Sequence, residues 1–485
     1  MTPRHQPLAQ RLTFLAAALC LAGCSQLQLY QRPDTALPTQ WPMGAATPSP
    51  DRVPDWRAFV QDAPLRGWID KALAHQHDLR VAVLQIEQAR AQFDVRRADQ
   101  WPTVNAAAAA ERNTSGAGSS LYTVGLAVSG WEVDLFGRVA SLKEAALAQY
   151  LAAEDTRQAV QISLVASVAT AWLNARASGE LLALVQKTLQ TREASLRLTD
   201  LRYKQGVASA LEWRQAQTLV EAARVAQAQQ ARQRLLDLNT LSLLTGAPTP
   251  VLAFSLDAQL GQPLQAFAPV AAGLPSDVLL GRPDIRASER ALVAANAQVG
   301  AARAAFFPRL SLTASAGTAS TSLSGLFSNG SWGWTLAPQL VLPVFDAGRN
   351  QANLDAADAT RSIATVRYDQ AVQTAFKEVA DALAGQATLD DLVRAQAASA
   401  TAETDRLRLA TLRTQQGVAG DLESLDAQRS LFTAQQALLQ AHWSQALNQV
   451  ALYKALGGGW DTPDPHGGAA GAAATTGVTG VAKQP

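Results

Sequence analysis

The chain is written twice. Asp78-Leu79-Arg80 recurs as Asp284-Ile285-Arg286 and Trp101-Pro102 as Phe307-Pro308, each pair 206 positions apart (284 − 78, 308 − 102). Further on, Gly137-Arg138 recurs as Gly348-Arg349, Gln205-Gly206-Val207 as Gln416-Gly417-Val418, Leu211-Glu212 as Leu422-Glu423 and Gly246 as Gly457. These pairs lie 211 apart (348 − 137, 417 − 206, 457 − 246). A constant offset over so long a stretch means one structural unit used twice, around a pseudo-two-fold axis. The unit is too long for a solenoid, and two copies are too few for an array. The five additional residues of the second copy must enter between Pro308 and Gly348.

Each copy mixes two periods. From Val139 to Lys204 there is no proline and only one glycine, Gly179, and the stretch 349–415 matches it. Some 65 helical residues would extend about 100 Å, so such helices belong to a coiled-coil assembly rather than a compact core. Leu425, Phe432 and Leu439, seven apart, have the spacing of a packed seam. Before each long helix the pattern changes to alternation: Tyr122, Val124, Leu126 and Val128 in the first copy, then Leu310, Leu312, Ala314 and Ala316, with Trp332, Trp334 and Leu336, in the second. One polar and one apolar face indicates strands. Gly/Ser/Asn-rich links at 113–120 and 318–330 divide them into hairpins. Each copy therefore reads as helix, hairpin, long helix, turn, helix.

Aromatics gather on the hairpins: Trp101, Tyr122 and Trp131, then Phe306, Phe307, Phe327, Trp332 and Trp334. Aromatic girdles mark transmembrane barrels, which need at least about 8 strands. Two hairpins give four strands, and an open edge in lipid is not viable. If these strands lie in a membrane, the chain must oligomerise. A dimer would leave almost no lumen, so a conducting pore favours a trimer.

The ends and the composition narrow the function further. Arg4 and Arg11 precede an apolar run, 12–22, that is too short to span a bilayer and has the form of a secretory signal. It stops at Leu21-Ala22-Gly23-Cys24, which resembles a bacterial lipobox and implies cleavage before Cys24 and its acylation. Ser25, rather than Asp, favours transfer to the outer membrane by the same resemblance. The other cysteine, Cys20, lies within the signal, so the mature chain has no disulfide. A net charge of +1 makes nucleic acid an improbable partner. His75 and His77 are two apart and lack a third ligand, so no metal site is expected. There is no nucleophile motif and no paired-carboxylate pocket, so no enzyme and no cofactor are expected.

Asp55-Trp56, Phe59 and Leu65, followed by Ala72-Leu73, resemble the opening motif of the TolC/OprM-type outer-membrane factors. Trp131-Glu132-Val133-Asp134-Leu135-Phe136-Gly137-Arg138 resembles their strand-to-helix junction, as does Pro343-Val344-Phe345-Asp346-Ala347-Gly348-Arg349 in the second copy. Leu425-Asp426-Ala427-Gln428-Arg429-Ser430-Leu431 and Leu452-Tyr453-Lys454-Ala455-Leu456-Gly457-Gly458-Gly459-Trp460 look like the lipoprotein, NodT-like branch. The resemblance covers about 24–460. It implies a mainly α chain with a transmembrane β-barrel: a trimeric, 12-stranded barrel with four strands per chain, continued by a long periplasmic α-helical barrel. It further implies the exit duct of a tripartite efflux pump. Its partners would be two further copies, a periplasmic membrane-fusion adaptor, an inner-membrane transporter of the RND type, and outer-membrane lipid.

On this reading 1–23 is the signal, 24–64 a lipidated extended segment, 65–246 the first repeat and 247–280 an equatorial linker. The second repeat is 281–457, and 458–485 a disordered tail. The hairpins fall at about 102–131 and about 308–342. Gly137 and Gly348 sit where strand bends into helix, and Asp134 and Asp346 are placed to cap that helix. Gly206 and Gly417 terminate the long helices and mark the turns at the far end of the tunnel. By resemblance, Glu423 and Asp426 fall on the constricting carboxylates of the periplasmic gate. Six of them in a trimer would attract cations and repel one another. Ala419 stands where some relatives carry a basic latch, leaving Arg413 as the candidate. The competing functions are a protein-secretion exit duct and a non-conducting periplasmic coiled-coil scaffold; a scaffold needs no strands.

Overall fold

The computed structural model describes residues 30–33, 41, 53–113, 119–246, 266–269 and 276–459. The expected signal, Cys24 and its lipid, most of the 247–280 linker, and the tail from Trp460 onward lie outside these residues.

The helices are α1 (Trp56–Phe59), α2 (Ala63–His75), α3 (His77–Ala98), α4 (Arg138–Lys204), α5 (Ala210–Thr245), α6 (Pro283–Ala304), α7 (Arg349–Gln415) and α8 (Asp421–Ala455). The strands are β1 (Val104–Asn113), β2 (Ser119–Val133), β3 (Arg309–Ser320) and β4 (Trp332–Val341). Strand β3 continues to Ser320, past the expected start of its link at Thr318. Helix ends Ala98 and Ala304 keep the 206 offset (304 − 98), and helix starts Arg138 and Arg349 keep the 211 (349 − 138). The hairpin segment absorbs the difference. The link in the first copy is 114–118; in the second it is 321–331, with a short 3-10 turn at Leu323–Gly325. Helices α4 and α7 have 67 residues each.

His75 and His77 do not share one helix. Asp62 caps α2, its Oδ1 accepting from the Leu65 N–H at 2.8 Å. That helix stops at Gln76, whose extended backbone separates it from α3. The two histidines end one helix and begin the next, both exposed.

The chain divides into two compact units, each drawing on both sequence repeats. The first comprises 1–38, 77–160 and 279–376 and holds the sheet. Its helical core is small-residue packing: α6 buries Ile285, Leu292, Val299, Ala301 and Ala304. Asp155, 3% exposed, is paired with Arg286. Burial pushes the Asp155 carboxyl up, and the Arg286 guanidinium opposes that. Arg32 forks onto both Glu289 oxygens at 2.7 and 2.8 Å, holding the short Tyr30–Pro33 segment on α6.

The sheet is antiparallel, in the order β1-β2-β3-β4. Its register places Val104, Val128, Ala314 and Leu336 in one cross-strand row and Ala106, Leu126, Ala316 and Trp334 in the next. A bulge at Ser129-Gly130 adds one residue to β2 and returns Trp131 to this face, beside Leu312 and Pro338. That face is apolar from Val133, Leu310 and Leu340 to Val124 and Trp332, interrupted by Thr318, and it ends in Ser320, Ser120 and Arg112, while the other carries Asn105, Glu111, Thr123, Ser311, Ser315, Thr335 and Gln339. The apolar face is bare: Leu126, Trp332, Trp334, Leu336 and Leu340 are all exposed. On the opposite face Gly125, Gly317 and Gly333 form a row. A Cβ on Gly125 would lie 2.7 Å from the Gly317 Cα. The backbones of β2 and β3 thus approach closely at Gly125 and Gly317, a place where a strand takes glycine because no side chain fits.

The second unit comprises 39–76, 161–278 and 377–485. Its core is an aromatic stack. Phe59 lies 4.1 Å from Tyr453 and 4.9 Å from Phe267, over buried Trp56, Leu65 and Ile69. The Tyr453 hydroxyl donates to the Gly458 carbonyl. Gly457, Gly458 and Gly459 all have left-handed φ, so the chain leaves α8 on a backbone that other residues resist.

Replacing Gly125 with valine should prevent β2–β3 pairing rather than merely weaken it, because the clash is with backbone. Circular dichroism of the membrane-extracted protein should lose strand signal and keep helix signal. Unchanged strand content would show that β2 and β3 do not approach so closely there.

Candidate functional site

Two sets of residues singled out by the sequence are brought together locally, one in each unit. In the second unit the long helices end alike. After α4, Gly206 (φ 72) donates to the Tyr203 carbonyl at 3.0 Å and Val207 to Arg202 at 2.8 Å. After α7, Gly417 (φ 69) donates to Thr414 at 3.1 Å and Val418 to Arg413 at 3.0 Å. Both are Schellman closures, which need the left-handed residue that glycine supplies.

The helices that follow start differently. Ser209 caps α5 in a capping box: its Oγ accepts from the Glu212 N–H at 3.2 Å, and Glu212 Oε2 accepts from the Ser209 N–H at 2.7 Å. These donors hold the Glu212 carboxyl below its ordinary value of 4.5, the backbone bond from Ser209 contributing most. The repeat mate of Ser209 is Gly420 (209 + 211), and that of Glu212 is Glu423 (212 + 211). Gly420 has no side-chain cap to offer. Glu423 is released from the box and pairs instead with Arg413 Nε at 3.3 Å. Asp426 accepts from Arg406 at 2.6 Å and from Arg429 at 2.5 Å, and Arg406 also reaches Ser430 at 3.2 Å. Arg202, the repeat mate of Arg413, crosses to Asp421 at 2.6 Å and ties the first turn to the second.

Within one chain each of the two carboxylates therefore faces an arginine. Arg413 engages its own Glu423. Arg202, Arg406 and Asp421 were not singled out from the sequence, although applying the 211 offset to Arg413 would have found Arg202. At the same turns Val207, Val418, Leu211 and Leu422 stand exposed, as two repeat-related pairs.

In the first unit, Asp134 Oδ2 accepts from the Ala140 N–H at 2.7 Å at the start of α4. Gly137 has φ 78, and Arg138 donates to both Glu132 oxygens at 2.8 and 2.6 Å. Phe136 stacks on Phe307 at 4.8 Å. In the second junction Asp346 accepts from Gly348 N–H at 3.0 Å and from Asn350 N–H at 2.8 Å. Here Ala347 (φ 54) as well as Gly348 (φ 84) is left-handed, and Val344 and Phe345 are 91% and 89% exposed. The first junction covers its aromatic within the chain; the second leaves its own bare. Among the described residues no cluster could hold a metal ion.

A sheet with a largely apolar exposed face, joined to long capped helices, is the anatomy of a channel-forming outer-membrane component. The chain belongs to the family of outer membrane efflux proteins, whose pattern it matches over residues 68–247 and 274–458. It is 44% identical over 469 residues to the toluene efflux pump outer membrane protein TtgC of Pseudomonas putida, covering 93% of this chain and 95% of that one. To the outer membrane protein OprJ of Pseudomonas aeruginosa it is 43% identical over 458 residues, covering 92% and 95%. The crystal structure of the open state of the Neisseria gonorrhoeae MtrE outer membrane channel superposes with a TM-score of 0.81. That pair is 39% identical, over 90% of this chain and 98% of that one. The protein is an efflux component of the cell outer membrane.

Removing the first cap, Ser209→Ala, should cost about 1 kcal/mol of local stability. Because the Glu212 pKa is depressed, its share is present above pH 4.5 and is lost as pH falls through the folded value. Hydrogen exchange at 210–213 should rise at pH 7, and in acid the difference from the parent should narrow only by what the Ser209 hydroxyl–Glu212 carboxylate bond supplied, because the Ser209 Oγ still accepts from the Glu212 N–H. Conversely, Gly420→Ser should rebuild the box, draw Glu423 from Arg413 and slow exchange at 421–424. Unchanged exchange there would mean that the Arg413 pair holds Glu423 more strongly than a cap can.

Proposed function

We propose that three copies of this chain form the outer-membrane exit duct of a tripartite efflux pump, passively conducting small molecules and gated at the turns around Gly206 and Gly417. The observation that carries this reading is the sheet, with one largely apolar exposed face and, among the described residues, no strand paired to the outer edges of β1 and β4. An edge in lipid costs several kcal/mol per unmet backbone group, so the sheet must close. Strands β1 and β4 have 10 residues each and run in opposite directions, so β4 of one copy can pair with β1 of the next. Three such joins would give 12 strands, a number within the known barrel range. Along β2, Tyr122 and Trp131 are nine residues apart. That is about 30 Å of strand, and at the usual tilt it approaches the roughly 25 Å apolar band between aromatic girdles.

The polar, glycine-bearing face would line the lumen. The repeats at 65–246 and 281–457 would each contribute one hairpin and one helical pair per copy. The mature chain would be anchored through acylated Cys24. Bare Val344 and Phe345 would pack on the neighbouring copy. The exposed valines and leucines at the turns would receive a periplasmic adaptor, itself joined to an inner-membrane transporter of the RND type. Relatives named as outer membrane proteins of toluene and antibiotic efflux pumps favour small-molecule efflux over protein secretion. The lumen chemistry does not choose among substrates.

At the gate, arginine pairs neutralise the carboxylates while it is closed. Exposed pairs of this kind contribute about 0–1 kcal/mol each, so an adaptor can exchange them at little cost. Planar-bilayer reversal potentials test the arrangement. Glu423→Ala/Asp426→Ala should shift selectivity toward anions, and Arg406→Ala/Arg413→Ala toward cations. No shift in either would move the gate elsewhere. No conductance from an intact trimer would favour the scaffold.

Phe345→Ala should weaken the assembly by about 2 kcal/mol or more per interface, as loss of a buried aromatic anchor does. The trimer should dissociate at lower temperature in detergent gels. An unchanged dissociation temperature would place Phe345 outside the interface.

A further inference from the structure

In the second unit a cleft of about 590 Å³ lies between α4, α7 and α8, along 180–192, 397–407 and 428–442. This is the size of pockets that take drug-sized molecules. Leu184, Leu431, Phe432, Leu438 and Leu439 supply an apolar wall. The same wall contains the heptad seam of α8, which therefore opens onto a cavity rather than a fully packed interface.

Arg192 also lines this cleft and is 5% exposed. Its Nη1 donates to the Leu219 carbonyl at 3.0 Å, and its guanidinium carbon lies 5.2 Å from the Phe432 ring centre. Its Nε has no partner, and no carboxylate among the described residues is paired with it. Burial lowers its pKa with no compensating acid, yet a guanidinium remains charged at neutral pH. A buried unpaired charge is costly, and evolution ordinarily supplies a counter-charge. Glu180, on the same wall, is engaged by Arg176 at 3.0 Å. Two further buried atoms without partners, Gln428 Oε1 and His442 Nδ1, belong to cleft residues. Burial holds His442 toward its neutral form, able to bond a ligand without adding charge.

We propose that this cleft binds a small amphipathic carboxylate, its head on Arg192 and its apolar body against Phe432 and the surrounding leucines. With Nη1 occupied and Nε enclosed without a partner, Nη2 is the nitrogen left to donate to a carboxylate in the cleft. The remaining wall is threonine, glutamine, alanine and leucine, with Lys187 adding a second positive charge and Glu180 already held by Arg176, which suits an anionic head on an apolar frame. This goes beyond conduction and does not depend on the gate.

The full chain in lipid nanodiscs would be titrated with 2-naphthoate and with decanoate by calorimetry, against empty nanodiscs. Saturable binding of one molecule per chain is expected. Arg192→Gln should weaken it at least tenfold, with Arg192→Lys intermediate. Uncharged 2-naphthamide should bind the parent at least tenfold more weakly and ignore the Arg192→Gln change. Preference for 2-naphthoate would point to soluble aromatic acids, and preference for decanoate to lipid-derived acids. Should Arg192→Gln fail to assemble, Leu438→Trp narrows the cleft without touching the charge and must abolish binding. Equal affinity for acid and amide would overturn the proposal, as would unchanged binding to Arg192→Gln. Absence of saturable binding by the intact protein would mean that a neighbouring copy or water fills the cleft.

Discussion

Backbone hydrogen bonding at the sheet edges is the constraint on which the other features turn. Strands β1 and β4 each leave one side of their N–H and C=O groups without a strand neighbour. Water could satisfy those groups, but the same sheet has an apolar face that water disfavours. Lipid would accept the face but not the edges. Closure with further copies, as proposed, would reconcile the two, and the Gly125–Gly317 pair already lets β2 and β3 approach closely. The strained Ala347 and bare Phe345 at the second junction fit the same requirement, because they lie beside the β4 edge.

At the turns, the two copies of one unit diverge in a small way. Ser209 keeps Glu212 busy as a helix cap; Gly420 cannot, and Glu423 turns to Arg413. A single missing hydroxyl thus converts a structural carboxylate into one available for an exchangeable ion pair. Arg202 and Arg413 diverge likewise, one binding the other turn's Asp421 and the other its own helix pair. Charge is balanced locally, so the turns can change partners without exposing a large net charge. Arg192, by contrast, is buried without an acid, and that imbalance marks the α4-α7-α8 cleft as a place for something from outside the chain.

Much of the fold was legible because its signals are local. Helix needs only an unbroken run free of proline, and α4 and α7 end at Gly206 and Gly417 as the left-handed cap requires. Alternation located all four strands, including the alanine-rich β1, where the signal was weakest. Strand β3 runs past the expected link boundary at Thr318 because Thr318 and Ser320 keep their backbone pairing with Val124 and Tyr122 without needing apolar side chains. The break at Gln76 between His75 and His77 is marked by no proline or glycine.

The sequence by itself determined the duplication, the order of elements, the family and the positions of the turns and junctions, because periodicity, glycine conformation and caps act within a few residues. Only the tertiary structure decided which charges meet. Arg406 and Asp426 are 20 positions apart, and Arg202 and Asp421 are 219 apart. Nothing in either neighbourhood encodes such a contact; it exists because long helices bring distant side chains within about 3 Å, where Coulomb and hydrogen-bond energies become significant. The cavity beside Arg192 was hidden for the same reason. A heptad seam specifies that helices pack, not how completely, and the space left over belongs to three helices at once.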